Sequence, residues 1–219
     1  MSHDDNKLLS QEDPVARLTR WLKLSTPLPV SATAQRFAPE LSFGRHFVPP
    51  PPDARRAAVM LLFYQRDNQW HLPLTLRPES MGNHAGQVSF PGGSIDDGES
   101  AEQAAVREVN EELGVTEQEL QVLGSLSSIY LYNSNFSIAP IVAVAQRVPT
   151  FVPSPDEVAA LIEFPLAVLV QPQPSGTLTI RRRDVVFTAP CIDVAAYQVW
   201  GATAIILGQL RDLLVDASP

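Results

Sequence analysis

The spacing of apolar residues changes several times along the chain, and each change predicts a different element. Val15, Leu18, Trp21 and Leu22 recur at helical intervals behind an Asp13-Pro14 start signal, which predicts a helix over residues 15–24 that docks on the rest of the protein. Four consecutive prolines, Pro49 to Pro52, then form a stiff bracket. They set off an N-terminal arm, residues 1–52, from a main domain, residues 53–219. Beyond the bracket the pattern turns β-rich. Residues 57–64 and 70–76, separated by a polar turn at 65–69, predict a hairpin, and a third short run follows at 87–90. The next element is a long helix with unusually complete end signals: Ser100 as N-cap, Gln103 three residues later as its capping-box partner, and Gly114 as the stop. Residues 120–131 and 136–145 read as strands, followed by a proline-rich loop over 148–156. Residues 157–164 fit either strand or helix, and 166–170 a short helix. Residues 177–180 with 185–188 suggest another hairpin, and an apolar-faced helix over 202–215 closes the pattern. Strands outnumber helices without regular alternation. The expected class is therefore α+β, a mixed sheet sandwiched between helices in an α/β/α arrangement.

Composition narrows the picture. With 45% apolar residues the chain can bury a core, and its longest clean apolar run, residues 57–63, is far short of the roughly 18 to 20 residues of a membrane span. No membrane partner is expected. The first residues carry acidic side chains and no apolar segment behind a basic one, so a cytoplasmic location is the expectation. The single cysteine, Cys191, reads as a small buried apolar side chain. Sixteen Lys and Arg against 24 Asp and Glu leave a formal charge of -8, which disfavours nucleic acid and repels free polyphosphates. An anionic substrate would then require a bound cation to reverse the local field. The run Arg181-Arg182-Arg183 in so acidic a chain reads as a solvated turn, and Tyr130, Tyr132 and Trp200, which could stack on a base, read as core residues.

The chemistry is concentrated between Gly93 and Val115. On a helix begun at Ala101, a turn of about 100° per residue is expected to gather Glu108, Glu111 and Glu112 on one face, Glu111 and Glu112 each within about 40 to 60° of Glu108. Ala101 and Ala104 share this face and leave room above it, whereas Val106, Val109 and Leu113 form a separate stripe able to pack on a sheet. Crowded carboxylates repel one another and hold their protons more tightly. Arg107 can pair with Glu111, but one guanidinium leaves two anions unmatched. Magnesium or manganese, taking oxygen ligands and keeping waters, suits such a cluster. The preceding turn, Pro91-Gly92-Gly93, lacks side chains, so a backbone amide or carbonyl could approach the same ion or a phosphate.

An acidic helix face alone is ordinarily a solvated surface. The wider spacing is more specific: Gly93, five residues, Glu99, seven residues, Arg107-Glu108, an aliphatic residue, any residue, Glu111-Glu112, any residue, Gly114 and an aliphatic residue. Seven fixed identities would coincide by chance about once in 10⁸ to 10⁹ placements. This pattern resembles the Nudix box, and the resemblance implies a Nudix-like fold and an enzyme that cleaves a nucleoside diphosphate linked to another group. It implies Glu108, Glu111 and Glu112 as metal ligands with the Gly93 backbone nearby, Arg107 as the residue that orients one of them, Glu99 as a support for the loop or helix geometry, and a glutamate of the box, such as Glu108 or Glu111, or the distant Glu157 as candidate base.

Upstream, Leu74-Thr75-x-Arg77 and His84-x-Gly86-Gln87-Val88-x-Phe90-Pro91-Gly92-Gly93 resemble the signature of the coenzyme A pyrophosphatase branch, as do residues 156–166 and 197–201. Arg77, His84 and Gly92 are then the candidate substrate contacts. The chain departs from that signature at Pro78, in place of a small residue, and at Gly82, in place of an arginine that could grip an extra phosphate. Coenzyme A or its thioesters lead as expected substrates. ADP-ribose, a dinucleotide or a modified nucleoside triphosphate is the alternative, and a non-catalytic nucleotide-sensing module a third. The arm leaves a homodimer open.

Overall fold

A computed structural model of the chain describes residues 13–24, 31–40, 45–80, 86–170, 176–182 and 185–215. Four α-helices are present among them: α1 (Pro14–Leu24), α2 (Ala32–Arg36), α3 (Ala101–Leu113) and α4 (Ala202–Val215). The strands are β1 (Arg55–Arg66), β2 (Gln69–Leu76), β3 (Val88–Ser89), β4 (Gly92–Ser94), β5 (Leu120–Ser125), β6 (Ile129–Leu131), β7 (Phe136–Ala145), β8 (Ala160–Pro165), β9 (Gly176–Arg182), β10 (Val185–Val194) and β11 (Tyr197–Trp200).

The main sheet runs β3-β2-β1-β7-β5, with β4 joined to β1, β6 to β7 and β8 to β2. Its described pairs are antiparallel except β1 with β7, so the sheet is mixed as expected. A second sheet, β11-β10-β9, has three strands. The sequence pattern accounts for the position of β1. Leu61 and Phe63 point into one apolar cluster, while Ala58, Met60, Leu62 and Tyr64 point into another. A strand alternating between two cores reads as one continuous apolar run, because both faces are covered.

The two clusters define the layers. On one face α3 contributes Ala104, Ala105, Val109 and Leu113. On the other, α4 contributes Ala204 to Leu207, Leu210, Leu213 and Leu214, joined by Leu18 of α1, Ala34 of α2, Phe37, and Ile192, Val194 and Val199 of the second sheet. The arm helices therefore share the core of the main sheet. Asp13 caps α1 through the Val15 and Ala16 amides at 3.4 Å each, and Pro14 takes the first helical position, where its missing N–H costs nothing. Docking on α4 is intimate. The Ser31 hydroxyl donates to Asp212 Oδ2 at 2.6 Å, the Thr33 amide to the same oxygen at 3.0 Å, and Arg17 Nε to the Leu213 carbonyl at 3.0 Å. Gly208 makes the approach feasible, since a Cβ there would sit 2.7 Å from Ala34 Cα.

Several expectations are corrected. The span 120–131 is two strands, interrupted at 126–128, with a bulge between Val122 and Gly124. Pro140 falls where β5 gives way to β6, and its carbonyl accepts from the Leu126 amide at 2.9 Å, so this break tolerates a proline inside β7. Residues 160–165 form a strand, paired with β2. The late hairpin extends to Val194 and gains β11, because Ala195 takes a left-handed φ of 50° and turns the chain without a glycine. Tyr132 is 57% exposed, unlike the buried Tyr130. Arg181 is exposed, and Arg183 lies outside the described residues.

Candidate active site

Strand β4 fixes the floor of the site. Its antiparallel register sets Gly92 opposite Val59 and Gly93 opposite Ala58. A Cβ on Gly92 would strike the Ala58 carbonyl oxygen and stand 2.7 Å from Val59 Cα, and a Cβ on Gly93 would collide with the Glu108 carboxylate. Both glycines are needed for closeness: one lets the strand reach β1, the other lets Glu108 lie against the backbone. The loop that follows is closed by the Asp96 amide on Glu99 Oε2 at 3.0 Å and the Glu99 amide on the Asp96 carbonyl at 3.0 Å. Helix α3 then starts and stops as its sequence dictates. Ser100 Oγ accepts from the Gln103 amide at 3.1 Å, Gln103 Oε1 accepts from the Ser100 amide at 2.8 Å, and Gly114 ends the helix with φ 72°.

Arg107 ties the pieces together. Its Nε and Nη2 donate to the two oxygens of Glu99 at 3.0 and 3.1 Å, its Nη1 to Glu108 Oε1 at 2.8 Å and Glu111 Oε2 at 3.0 Å, and its Nη2 also to the Ser94 carbonyl at 3.0 Å. One planar fork thus fastens the loop, the strand and two helix carboxylates, where the sequence had suggested a single pair with Glu111. These bonds hold the Glu99 carboxyl below its ordinary range, Arg107 being the first cause, and strengthen the proton hold of the guanidinium itself.

The three helix glutamates occupy unequal environments. Glu111 and Glu112 are about 100° apart around the axis, so one turns outward and the other toward the sheet. The Glu111 side chain is 51% exposed, while Glu112 is buried at 3%. Glu112 Oε2 accepts from Thr75 Oγ1 at 3.3 Å and Oε1 from the Gly92 amide at 3.4 Å. Burial pushes its carboxyl up to about 7, against the opposing pull of the Gly92 amide and the Arg77 charge. Burial also raises Glu108; the Glu111 and Glu157 charges add to this and Arg107 opposes it. Ala104 is corrected as well. It is fully buried in the α3 core, so it leaves no open space above the acidic face.

Glu157 reaches the site through backbone bonds. The Val152 amide donates to the Leu113 carbonyl and the Ser154 amide to the Glu112 carbonyl, each at 2.8 Å, so loop 151–158 closes the carbonyl end of α3. This docking brings the Glu157 charge within range of Glu108 although 49 positions separate them in the sequence (157 minus 108). Arg77, at the end of β2, acts electrostatically on Glu112, and its Nε is buried without a hydrogen-bond partner among the described residues. Gly92 directs its amide at Glu112. His84 and Gly82 lie outside the described residues. Sequence reasoning assigned no role to Thr75 or the Ser94 carbonyl. For Thr75 a signal existed: it stands two residues before Arg77, and the two-residue period of a strand puts both on one face.

Among the described residues, no three His, Cys, Asp or Glu side chains are gathered closely enough to hold an ion by themselves. Magnesium makes a smaller demand, since it is commonly held by one or two carboxylates, with waters and substrate phosphates completing its shell. Glu108 and Glu112, flanking a backbone with no Cβ at Gly92 and Gly93, offer hard oxygen donors of that kind.

A family model described as NUDIX domain matches residues 54–183, more than half of the chain. The chain belongs to the Nudix family. Among its relatives is a protein named Uncharacterized Nudix hydrolase NudL from Cronobacter sakazakii, 36% identical over 140 residues, covering 64% of this chain and 72% of that protein. Nudix hydrolase 3 of Caenorhabditis elegans is 30% identical over 159 residues, covering 64% of this chain. The match spans 65% of the worm protein's length. A solved Nudix hydrolase from M. smegmatis, RenU, aligns with a TM-score of 0.45 at 24% identity, covering 52% of this chain and 71% of that one. Nudix enzymes hydrolyse diphosphate linkages, generally with divalent metal ions. The α+β fold with its mixed sheet accords with this assignment.

Proposed function

We propose that this chain acts in the cytoplasm as a magnesium-dependent diphosphatase, manganese being an alternative ion. Its leading substrates are coenzyme A or coenzyme A thioesters, cleaved to 4′-phosphopantetheine, or its acylated form, and adenosine 3′,5′-bisphosphate. The observation that carries the hydrolytic reading is the single constellation made by Glu99, Arg107, Glu108, Glu111 and the buried Glu112 against the Gly92-Gly93 strand. When bound, the divalent ion would neutralise diphosphate oxygens and acidify the attacking water. Glu108, Glu112 and the Gly93 backbone are the groups proposed to hold it, with Glu111 at the exposed rim.

The remaining work falls to side chains. Arg107 keeps Glu108 and Glu111 from splaying apart and anchors both to the loop through Glu99. A carboxylate takes the proton of water as its oxygen bonds to phosphorus and the bridging P–O bond breaks, the leaving phosphate carrying away the electron pair. Glu157 is the first candidate for this base, because it enters from outside the Arg107 network; Glu108 and Glu111 are the others. Arg77 would counter negative charge on the substrate side of Glu112, and His84 and Gly92 are proposed as further substrate contacts.

The coenzyme A reading rests on Leu74-Thr75-x-Arg77 and on the stretch from His84 to Gly93. Gly82 favours the second reading, a Nudix diphosphatase for ADP-ribose, a dinucleotide or a modified nucleoside triphosphate, since it removes a guanidinium suited to an additional phosphate. A substrate panel with and without magnesium tests the choice. Turnover of coenzyme A and acetyl-coenzyme A well above that of ADP-ribose and NADH is expected. Preference for ADP-ribose would establish the second reading, and nucleotide binding without turnover a non-catalytic sensor.

A further inference from the structure

Thr75 belongs to the strand that carries the upstream signature, yet its hydroxyl is turned away from any route to solvent. It is 1% exposed. Alternation along β2 explains where it points: Leu72, Leu74 and Leu76 enter the core shared with α4, so Thr75 faces the opposite layer, the side of α3. There its Oγ1 lies 3.3 Å from Glu112 Oε2. The same Oγ1 is 3.5 Å from both the carbonyl oxygen and the Oγ of Ser89, the residue paired with it across β2 and β3, so the charged carboxylate at 3.3 Å is the nearer acceptor for its proton. A hydroxyl has one proton to donate and lone pairs to accept. With its proton given to Glu112, it remains free to accept from Ser89. The other carboxylate oxygen of Glu112 receives the Gly92 amide. Both oxygens are therefore held from groups on the sheet, and the rotation of the carboxylate is set by β2 and β4.

We propose that Thr75 is a positioning residue for Glu112, fixing the plane of its carboxylate so that its remaining lone pairs would be available to a divalent ion. The inference rests on the reading of Glu108 and Glu112 as ion ligands. It assigns the threonine of the Leu-Thr-x-Arg segment to the ion site, leaving Arg77 as the member of that segment turned toward substrate. Groups that orient a ligand from behind commonly change metal affinity by about 10- to 100-fold when removed.

Thr75→Val keeps the shape and removes the donor, while Thr75→Ser restores it. Manganese alone, titrated into chelator-treated protein and followed by electron paramagnetic resonance, reads ion affinity without substrate or turnover. The expected result is that Thr75→Val binds manganese about 10-fold more weakly and needs about 10-fold more magnesium for half-maximal turnover, with its substrate KM at saturating magnesium within about threefold of wild type. Thr75→Ser should lie within about threefold of wild type in each measurement. Equal manganese affinity in wild type and Thr75→Val, with wild type binding normally, would overturn the role of Thr75 alone. No binding by folded wild type would instead overturn the ion reading beneath it. If Thr75→Val does not fold, Thr75→Ala decides by the same measurements, and normal manganese affinity there overturns the proposal.

Discussion

Helices α3 and α4 cover opposite faces of one sheet and are nearly equal in length, 13 and 14 residues, yet they are buried in different ways. Ten of the 14 residues of α4 are buried, because α1, α2 and the sheet surround it, and Gly208 permits backbone contact with α2. Helix α3 buries five residues, and one of those is a glutamate. A helix enclosed on several sides contributes packing. A helix with one open side can hold charges where solvent and ligand reach them, and its cost in repulsion is offset by Arg107 and by hydrogen bonds from the sheet. The comparison locates stability on one face and chemistry on the other.

That division fails if α3 variants merely unfold the protein or α4 variants merely slow it. The largest effect is expected from Glu112→Gln or Glu108→Gln, which should lower kcat by about 10² to 10⁴ with circular dichroism unchanged, since each loss acts mainly on the transition state. Arg107→Ala comes next. It releases Glu99, Glu108 and Glu111 together, so turnover should fall by about 10² and the melting temperature should drop by several degrees, a mixed outcome befitting a residue that joins loop to helix. In α4, Gly208→Val should cost about 3 kcal/mol in urea unfolding, by forcing α2 away, while the folded fraction keeps its KM and kcat.

The smallest effect sharpens the picture of Glu112. In metal-free protein its carboxyl, ordinarily near 4.5, is pushed up to about 7 by burial. The folded state therefore holds this proton at pH values where the unfolded state has released it. The resulting stabilisation is full below about 4.5 and disappears as the pH rises to about 7. Between pH 5 and 8 in chelator, wild type should lose about 2 kcal/mol more than Glu112→Gln in urea unfolding, part of the burial being relieved by relaxation around the charged form. Parallel pH profiles would show that Glu112 ionises there without strain.

The parts of α3 legible in the sequence were those encoded locally. Ser100, Gln103 and Gly114 mark its ends because caps act within a turn of the helix, and the spacing of Glu99, Arg107 and the glutamates marks the chemistry. The α4 segment was equally plain, as an apolar-faced helix over residues 202–215. What escaped depended on other parts of the chain. A projection around one helix sets Glu112 nearer than Glu111 to the Val109 stripe, but it cannot tell that the partners waiting there are Thr75 of β2 and Gly92 of β4, nor that Ala104 is sealed by the sheet. The approach of Glu157 follows from amides of residues 152 and 154 binding the end of α3, an arrangement absent from any local pattern. Strand β11 was missed because its turn uses Ala195, which gives no glycine or asparagine signal.

Isothermal calorimetry of manganese binding to chelator-treated protein at pH 8, wild type beside Glu108→Gln, bears most directly on the role given to α3. Saturable binding by wild type, reduced at least about 10-fold by the substitution and weakening as the pH is lowered through 7, is the expected result. An absence of binding by wild type, or equal affinity in the two proteins, would contradict it.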